Sequence, residues 1–218
     1  MPADRDADAP HFDDGFYADF LTLLRWRRDV RAFDPRPVPD SELVLALAAV
    51  DLAPSVGNSQ PWRFVSVAEP ARRGAVRDSF LRCNADALAS QPDDKAHLYA
   101  KLKLEGLDAA PVHLAVFCDE ETAQGHGLGI RTMPEMLRYS VVTAIHNFWL
   151  AARCRGLGVG WVSIIEPDAV AAALDVPPEW QLVAYLCVGY PRASDDVPEL
   201  EREGWQARTE GDLRLVRR

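Results

Sequence analysis

The chain has 218 residues, 48% hydrophobic and 26% charged, which fits one globular domain with a sizeable core. With 24 Lys and Arg against 33 Asp and Glu its net charge is −9, which argues against non-specific binding to nucleic acid or to an anionic membrane. Its apolar runs are too short to span a bilayer, its acidic N-terminus does not read as a signal peptide, and Cys83, Cys118, Cys154 and Cys187 read as small buried hydrophobes of a reducing cytoplasm.

In chain order, residues 1–13 are polar and expected to fray. Asp14 is placed to cap a helix from about Gly15 to Trp26, with Phe16, Phe20, Leu23 and Leu24 on one face. It runs into the basic segment Arg25-Trp-Arg-Arg-Asp-Val-Arg31. After a proline-rich turn, Asp40 or Ser41 is expected to cap a helix reaching Leu52, with Leu43, Leu47 and Val50 in register and Pro54 as its stop. The loop Pro54-Ser-Val-Gly-Asn-Ser-Gln-Pro-Trp62 follows, then a strand over Trp62 to Val67. Helices are predicted from Pro70 to about Leu88 and from Asp94 to about Leu107, with a turn between them. A buried strand covers Val112 to Phe117. Residues 120–131 contain three glycines and no clear period, so they are a mobile loop and, with the turn near 90–100, a lid candidate.

The pattern Thr132-Met-Pro-Glu135 reads as a capping box at the head of a long central helix. Val141, Val142, Ile145, Trp149 and Ala152 recur at helical spacing until Gly156, with Phe148 and Leu150 off that stripe. Such a helix belongs at a core centre or a subunit interface. Trp161 to Ile165 is expected as a strand, Pro167 to Leu174 as a helix, and Gln181 to Gly189 as a strongly apolar strand before a charged tail. The order, without regular strand–helix–strand alternation, predicts a single α+β domain.

Several motifs are absent. The runs Gly125–Gly129 and Gly156–Gly160 are not Gly-x-Gly-x-x-Gly and do not join a strand to a helix, so neither is a dinucleotide fingerprint. The five histidines lack metal-ligand spacing, and no metal is expected. Arg27, Arg28 and Arg31 admit two readings: a solvated basic turn at a helix end, or a clamp whose guanidinium forks match phosphate oxygens. Asp29 is their salt-bridge partner or, with a ligand above it, an acid–base group. Ser163, just beyond Gly158 and Gly160, bonds to backbone or donates to a ligand edge. Ser55, Asn58 and Ser59 give their loop either turn chemistry or ligand contacts.

Taken together these stretches resemble the nitroreductase-like flavoprotein family. Its members carry an Arg-x-x-x-Arg segment, here Arg27–Arg31; a Ser/Pro-x-x-Asn-x-Gln-Pro-Trp loop, here Ser55–Trp62; and a Gly-Leu-Gly turn after a long helix, here Gly156–Gly158. The match runs from about Phe16 to Arg208. Within the family, Arg27-Arg-Asp-Val-Arg31, Met133–Ser140, Asn147–Arg153 and Gly158–Ile164 are similar to the branch that consumes flavin as a substrate.

The resemblance implies a mostly antiparallel sheet flanked by helices and an interlocked homodimer holding flavin mononucleotide (FMN) at its interface. It implies oxygen-dependent fragmentation of reduced FMN to 5,6-dimethylbenzimidazole, the lower ligand of vitamin B12, and erythrose 4-phosphate, with a separate reductase supplying the reduced flavin. It assigns Arg27, Arg28, Val30 and Arg31 to the phosphate and the polar edge of the flavin, joined by Ser55 and by Arg208 from the tail. Gln60 and Trp62 brace the loop, and Leu104 is an apolar contact to the ring made from the second subunit of the dimer. Asp29 and Ser163 are the two residues tied to flavin cleavage. The competing expectations are an NAD(P)H-dependent nitroreductase that recycles FMN, and a non-enzymatic flavin-binding protein.

Overall fold

The computed structural model describes residues 9–90, 92, 98, 105–209, 216 and 218. Among them are five strands: β1 (Phe33–Asp34), β2 (Trp62–Ser66), β3 (Val112–Asp119), β4 (Gly158–Val162) and β5 (Trp180–Pro191). The helices are α1 (Asp14–Trp26), α2 (Asp40–Leu47), α3 (Pro70–Ala89), α4 (Gly106–Ala109), α5 (Met136–Cys154), α6 (Pro167–Leu174) and α7 (Glu199–Arg202). All ladders between named strands are antiparallel. β5 is the hub: it pairs with β3 on one side, β3 pairs with β2, and β4 and β1 share the other side of β5.

Period-two alternation divides the core between the two sheet faces. Leu114, Val116 and Cys118 of β3, with Ala184, Leu186 and Val188 of β5, pack among Val141, Ala144, Ile145 and Phe148 of α5. Ala115, Phe117, Tyr185 and Cys187 point the other way, among Val76 and Phe80 of α3 and Val170 and Leu174 of α6. Burying a large apolar side chain this fully contributes about 1.5–3 kcal/mol, and Phe117, Ile145, Phe148 and Leu186 are each 0% exposed. Among the described residues no helix is long and apolar enough to cross a membrane.

Several boundaries differ from expectation. Asp13, not Asp14, caps α1, accepting from the Phe16 N–H at 2.8 Å. Phe16 and Phe20 stay exposed on α1, which buries no residue. α2 has Pro39 at its cap and no side-chain cap bond, and it ends at Leu47; a short 3₁₀ turn carries the chain through Val50–Leu52. The capping box does not form. Met133 precedes a proline, which disfavours helical geometry there, and residues 132–135 make turns instead, so α5 begins at Met136. β4 starts at Gly158 and stops at Val162, which leaves Ser163 past the strand. Cys154 is exposed rather than buried. Residues 1–8 and most of the stretch 94–104, including part of a predicted helix and of the lid candidate, lie outside the described residues.

Candidate active site

α5 supports both motifs of the sequence. Near its start the Ser140 hydroxyl accepts from the Val56 N–H at 3.0 Å, and Thr143 donates to the Pro54 carbonyl at 2.9 Å. Nine residues on, about 14 Å along the helix, the indole N–H of Trp149 donates to the Arg28 carbonyl at 3.3 Å. The Ser55 loop and the arginine segment are therefore held at two stations of one rigid element.

The arginine segment leaves α1 extended and lies along β4. Asp29 bridges Val159 in parallel, and the Val30 N–H donates to the Val159 carbonyl at 3.0 Å. The two glycines of β4 make this approach possible. A Cβ at Gly158 would stand 2.7 Å from a Val30 methyl, and one at Gly160 would collide with the Val30 carbonyl oxygen. Val30 thus packs against the sheet while its neighbours face outward.

Those neighbours form a cleft of about 140 Å³, shared with the tail, whose walls include Arg27, Arg28, Asp29, Arg31, Glu199 and Arg208. Four guanidinium groups face two carboxylates there, a surplus of two positive charges, which matches a phosphate dianion. Burial, with the like charge of Arg208 adding to it, pushes Arg27 and Arg28 below their ordinary values. Arg28 donates to the Arg27 carbonyl at 2.8 Å and, through Nε at 3.1 Å and through Nη2, to the Asp196 carbonyl, strapping the tail to the segment. Arg31 reaches Asp29 at 3.6 Å and Glu199 at 4.0 Å. The Arg27 guanidinium lies 4.7 Å from the Trp149 ring centroid.

Asp29 is oriented from both sides. Its Oδ1 accepts from the Trp161 N–H at 2.9 Å, and its Oδ2 faces the Arg31 guanidinium. Enclosure by protein raises its pKa, and the Trp161 N–H and then Arg31 offset part of that rise. Glu199 is raised for the same first reason, burial, again opposed by Arg31. A carboxyl whose proton affinity is raised, beside a cationic clamp, is suited to proton transfer.

The structure brings Arg27, Arg28, Asp29, Arg31 and Arg208 together, with Val30 beneath them. Ser55 and Ser163 are not among the residues lining this cleft. The Ser55 hydroxyl accepts from the Gln60 N–H at 3.1 Å, inside its own loop. Ser163 is exposed, two residues beyond Trp161. Leu104 lies outside the described residues. Gln60 and Trp62 do brace their loop: Trp62 is core, and the Gln60 side chain accepts from Gln124 at 3.0 Å. Gln124 also donates to the Asn58 carbonyl at 2.8 Å, so the candidate lid at 120–131 docks on that loop. Trp149 and Glu199 were not picked out from sequence; the first reads as core stripe and the second as part of an acidic tail.

The nitroreductase family profile matches residues 24–190. The chain belongs to the nitroreductase family. It is 61% identical over 199 residues to a 5,6-dimethylbenzimidazole synthase of Rhodospirillum rubrum, covering 91% of this chain and 94% of that protein. A 5,6-dimethylbenzimidazole synthase of Rhodobacter capsulatus is 48% identical, with 87% and 92% covered. Among solved structures, iodotyrosine deiodinase bound to FMN and 3-iodo-L-tyrosine superimposes with a TM-score of 0.70 at 25% identity, covering 90% of this chain and 97% of that one. The nitroreductase α+β fold read from the arginine segment and the Gln-Pro-Trp loop is therefore the fold the chain adopts.

Proposed function

We infer that this chain is a 5,6-dimethylbenzimidazole synthase that fragments reduced FMN, with oxygen, to 5,6-dimethylbenzimidazole for the lower ligand of vitamin B12 and to erythrose 4-phosphate. The observation that carries the reading is Asp29, an acid pinned by the Trp161 N–H inside a cleft of four guanidinium groups, in a chain similar along nearly its whole length to two such synthases. The flavin is the substrate and supplies the redox chemistry; the chain's own residues bind it, orient it and move protons.

The surplus charge of the cleft suits the phosphate, with Arg27, Arg28, Arg31 and Arg208 as its donors. The cleft of about 140 Å³ adjoins a cavity of about 230 Å³ that shares Arg28, Asp29, Arg31 and Glu199; the phosphate end sits here and the ring extends beyond it. A second copy completes the site around the ring and accounts for the apolar residues that α1 and α5 leave open: Tyr17 is 60% exposed, Phe16 53%, Tyr139 51% and Val142 42%. In this homodimer Ser55 contacts the flavin from its loop, Leu104 meets the ring, and Ser163 bonds to the ring where oxygen reacts. Asp29, with its raised proton affinity, holds and returns the proton that carbon–carbon cleavage of the ribityl chain requires. The 120–131 segment excludes water, and a separate reductase supplies reduced flavin.

The test is aerobic incubation of the purified protein with FMN and a reducing system, followed by liquid chromatography and mass spectrometry. Stoichiometric loss of flavin with appearance of 5,6-dimethylbenzimidazole is expected. Intact flavin with steady consumption of NAD(P)H would overturn the synthase reading in favour of a nitroreductase.

A further inference from the structure

Among the described residues, many arginines of this acidic chain are neutralised where they stand. Arg63, Arg77, Arg82, Arg138, Arg155 and Arg192 each meet a carboxylate within 3.0 Å. Within the cleft, Arg31 faces Asp29 and Glu199, and Arg28 spends its N–H groups on backbone carbonyls. Arg27 differs from both. Among the described residues no carboxylate lies within ion-pair distance of it, and its guanidinium rests on an aromatic face, 4.7 Å from the centroid of Trp149.

That difference has a chemical consequence. A carboxylate partner fixes an arginine but occupies its N–H fork and cancels its charge. An indole face attracts the cation through its quadrupole and leaves the edge of the guanidinium plane, with its five donors, available. Trp149 is itself fixed. Its N–H donates to the Arg28 carbonyl at 3.3 Å, and its ring packs 6.3 Å from that of Trp161, whose backbone N–H holds Asp29. One side chain of α5 thus holds the backbone just after Arg27 and also carries the Arg27 side chain.

We propose that Trp149 is a positioning residue that presents Arg27, undiverted by any carboxylate, to the phosphate of FMN. The inference rests on the flavin reading above. It makes the three arginines unequal: Arg28 also straps the tail, Arg31 also poises Asp29, and Arg27 on its indole support is kept for the anion alone.

The test compares binding of oxidised FMN with that of riboflavin, which lacks the phosphate, by flavin fluorescence. Trp149→Met fills the volume without a ring; Trp149→Phe keeps a ring face without the N–H. Cation–π contacts of this kind correspond to a change on the order of tenfold. Trp149→Met is expected to weaken FMN binding by about that factor with riboflavin nearly unchanged, whereas Trp149→Phe keeps most of the preference for FMN. In an Arg27→Met background, Trp149→Met should cost nothing further.

A second measurement avoids substitution in the core. Full-length protein made with progressively fluorinated tryptophan keeps its shape but has a less negative ring face. Its FMN-over-riboflavin preference should fall with fluorination, and should not do so when Arg27→Met is present. Equal weakening of both ligands by Trp149→Met, equal damage from Trp149→Phe, or a preference indifferent to fluorination would overturn the proposal. The wild-type fragmentation assay separates the two readings. Binding with a phosphate preference but no product removes the synthase activity and leaves the clamp; product formation with an indifferent Trp149 removes the clamp support alone.

Discussion

Asp29 Oδ1 accepts a hydrogen bond of 2.9 Å from the backbone N–H of Trp161. The two residues are far apart in sequence, and the bond joins the arginine segment to the strand that ends one residue before Ser163. Asn at position 29 keeps an acceptor for that N–H and loses the titrating proton together with the negative charge that faces Arg31. Asp29→Asn is therefore expected to bind FMN within about threefold of wild type, yet to lose benzimidazole formation by on the order of 10²–10⁴-fold, the usual range for a general acid–base group. Ser163→Ala alters an exposed residue and should likewise bind flavin and lose product. Product analysis beside flavin titration checks both, and full yield from either variant would remove that residue from the chemistry.

A backbone test of the same junction uses Gly160. A methyl group there meets the Val30 carbonyl oxygen, which no side-chain rotation can move. Gly160→Ala should destabilise the fold by about 1–3 kcal/mol, as overpacking does, and should also lift Arg27–Arg31 off β4, weakening FMN binding by on the order of tenfold or more. Gly156→Ala is the contrast: φ is +74° and nothing lies within 4 Å of the new Cβ. It should cost about 1 kcal/mol of backbone strain and leave flavin affinity in place. Thermal unfolding and flavin titration of the two variants give the comparison; equal flavin affinity in both would show that the segment does not depend on the glycine contact.

What could be read in the sequence was what is local. The short helix Pro167–Leu174 and the apolar run of β5 were legible, and the arginine segment and the Gln-Pro-Trp loop showed their motifs. What could not be read depends on contacts between distant residues. β4 begins at glycines, poor strand formers whose pairing with β5 and tolerance of Val30 override propensity. Arg28 binds the carbonyl of Asp196, and a carbonyl has no sequence signature. Trp149 sits in an apolar stripe and reads as core, because a pattern of hydrophobic residues does not say that one of them faces a guanidinium. Thr132–Glu135 had the letters of a capping box, but Pro134 denied it the backbone.

The open faces of α1 and α5 give a prediction about assembly. Val142 is 42% exposed in the middle of α5, and Tyr139, one turn earlier, is 51% exposed. In a homodimer both would be covered. Sedimentation velocity at micromolar concentration should find wild type as a dimer and Val142→Glu shifted to monomer, because a buried unpaired carboxylate opposes association. The monomeric variant should lose FMN affinity together with its partner. A wild-type monomer that binds FMN fully would show that one chain completes the site.

Away from the cleft, His113 sets an acid limit on the fold. It is 1% exposed on β3, with Nδ1 at 2.9 Å from the Tyr185 hydroxyl, and burial pushes its pKa down to about 4. The unfolded chain binds a proton at His113 near the ordinary 6.5, so between that value and about 4 the unfolded state holds more protons than the folded one. The neutral histidine therefore contributes stability that is complete above about pH 6.5 and is lost as pH falls toward 4, about 3 kcal/mol in all. His113→Gln keeps a hydrogen-bonding partner for Tyr185 without the titration. Urea unfolding of both proteins at pH 7 and at pH 4.5 should show the wild type losing about 2–3 kcal/mol more than the variant across that interval. Parallel losses would place the acid sensitivity in the carboxylates instead.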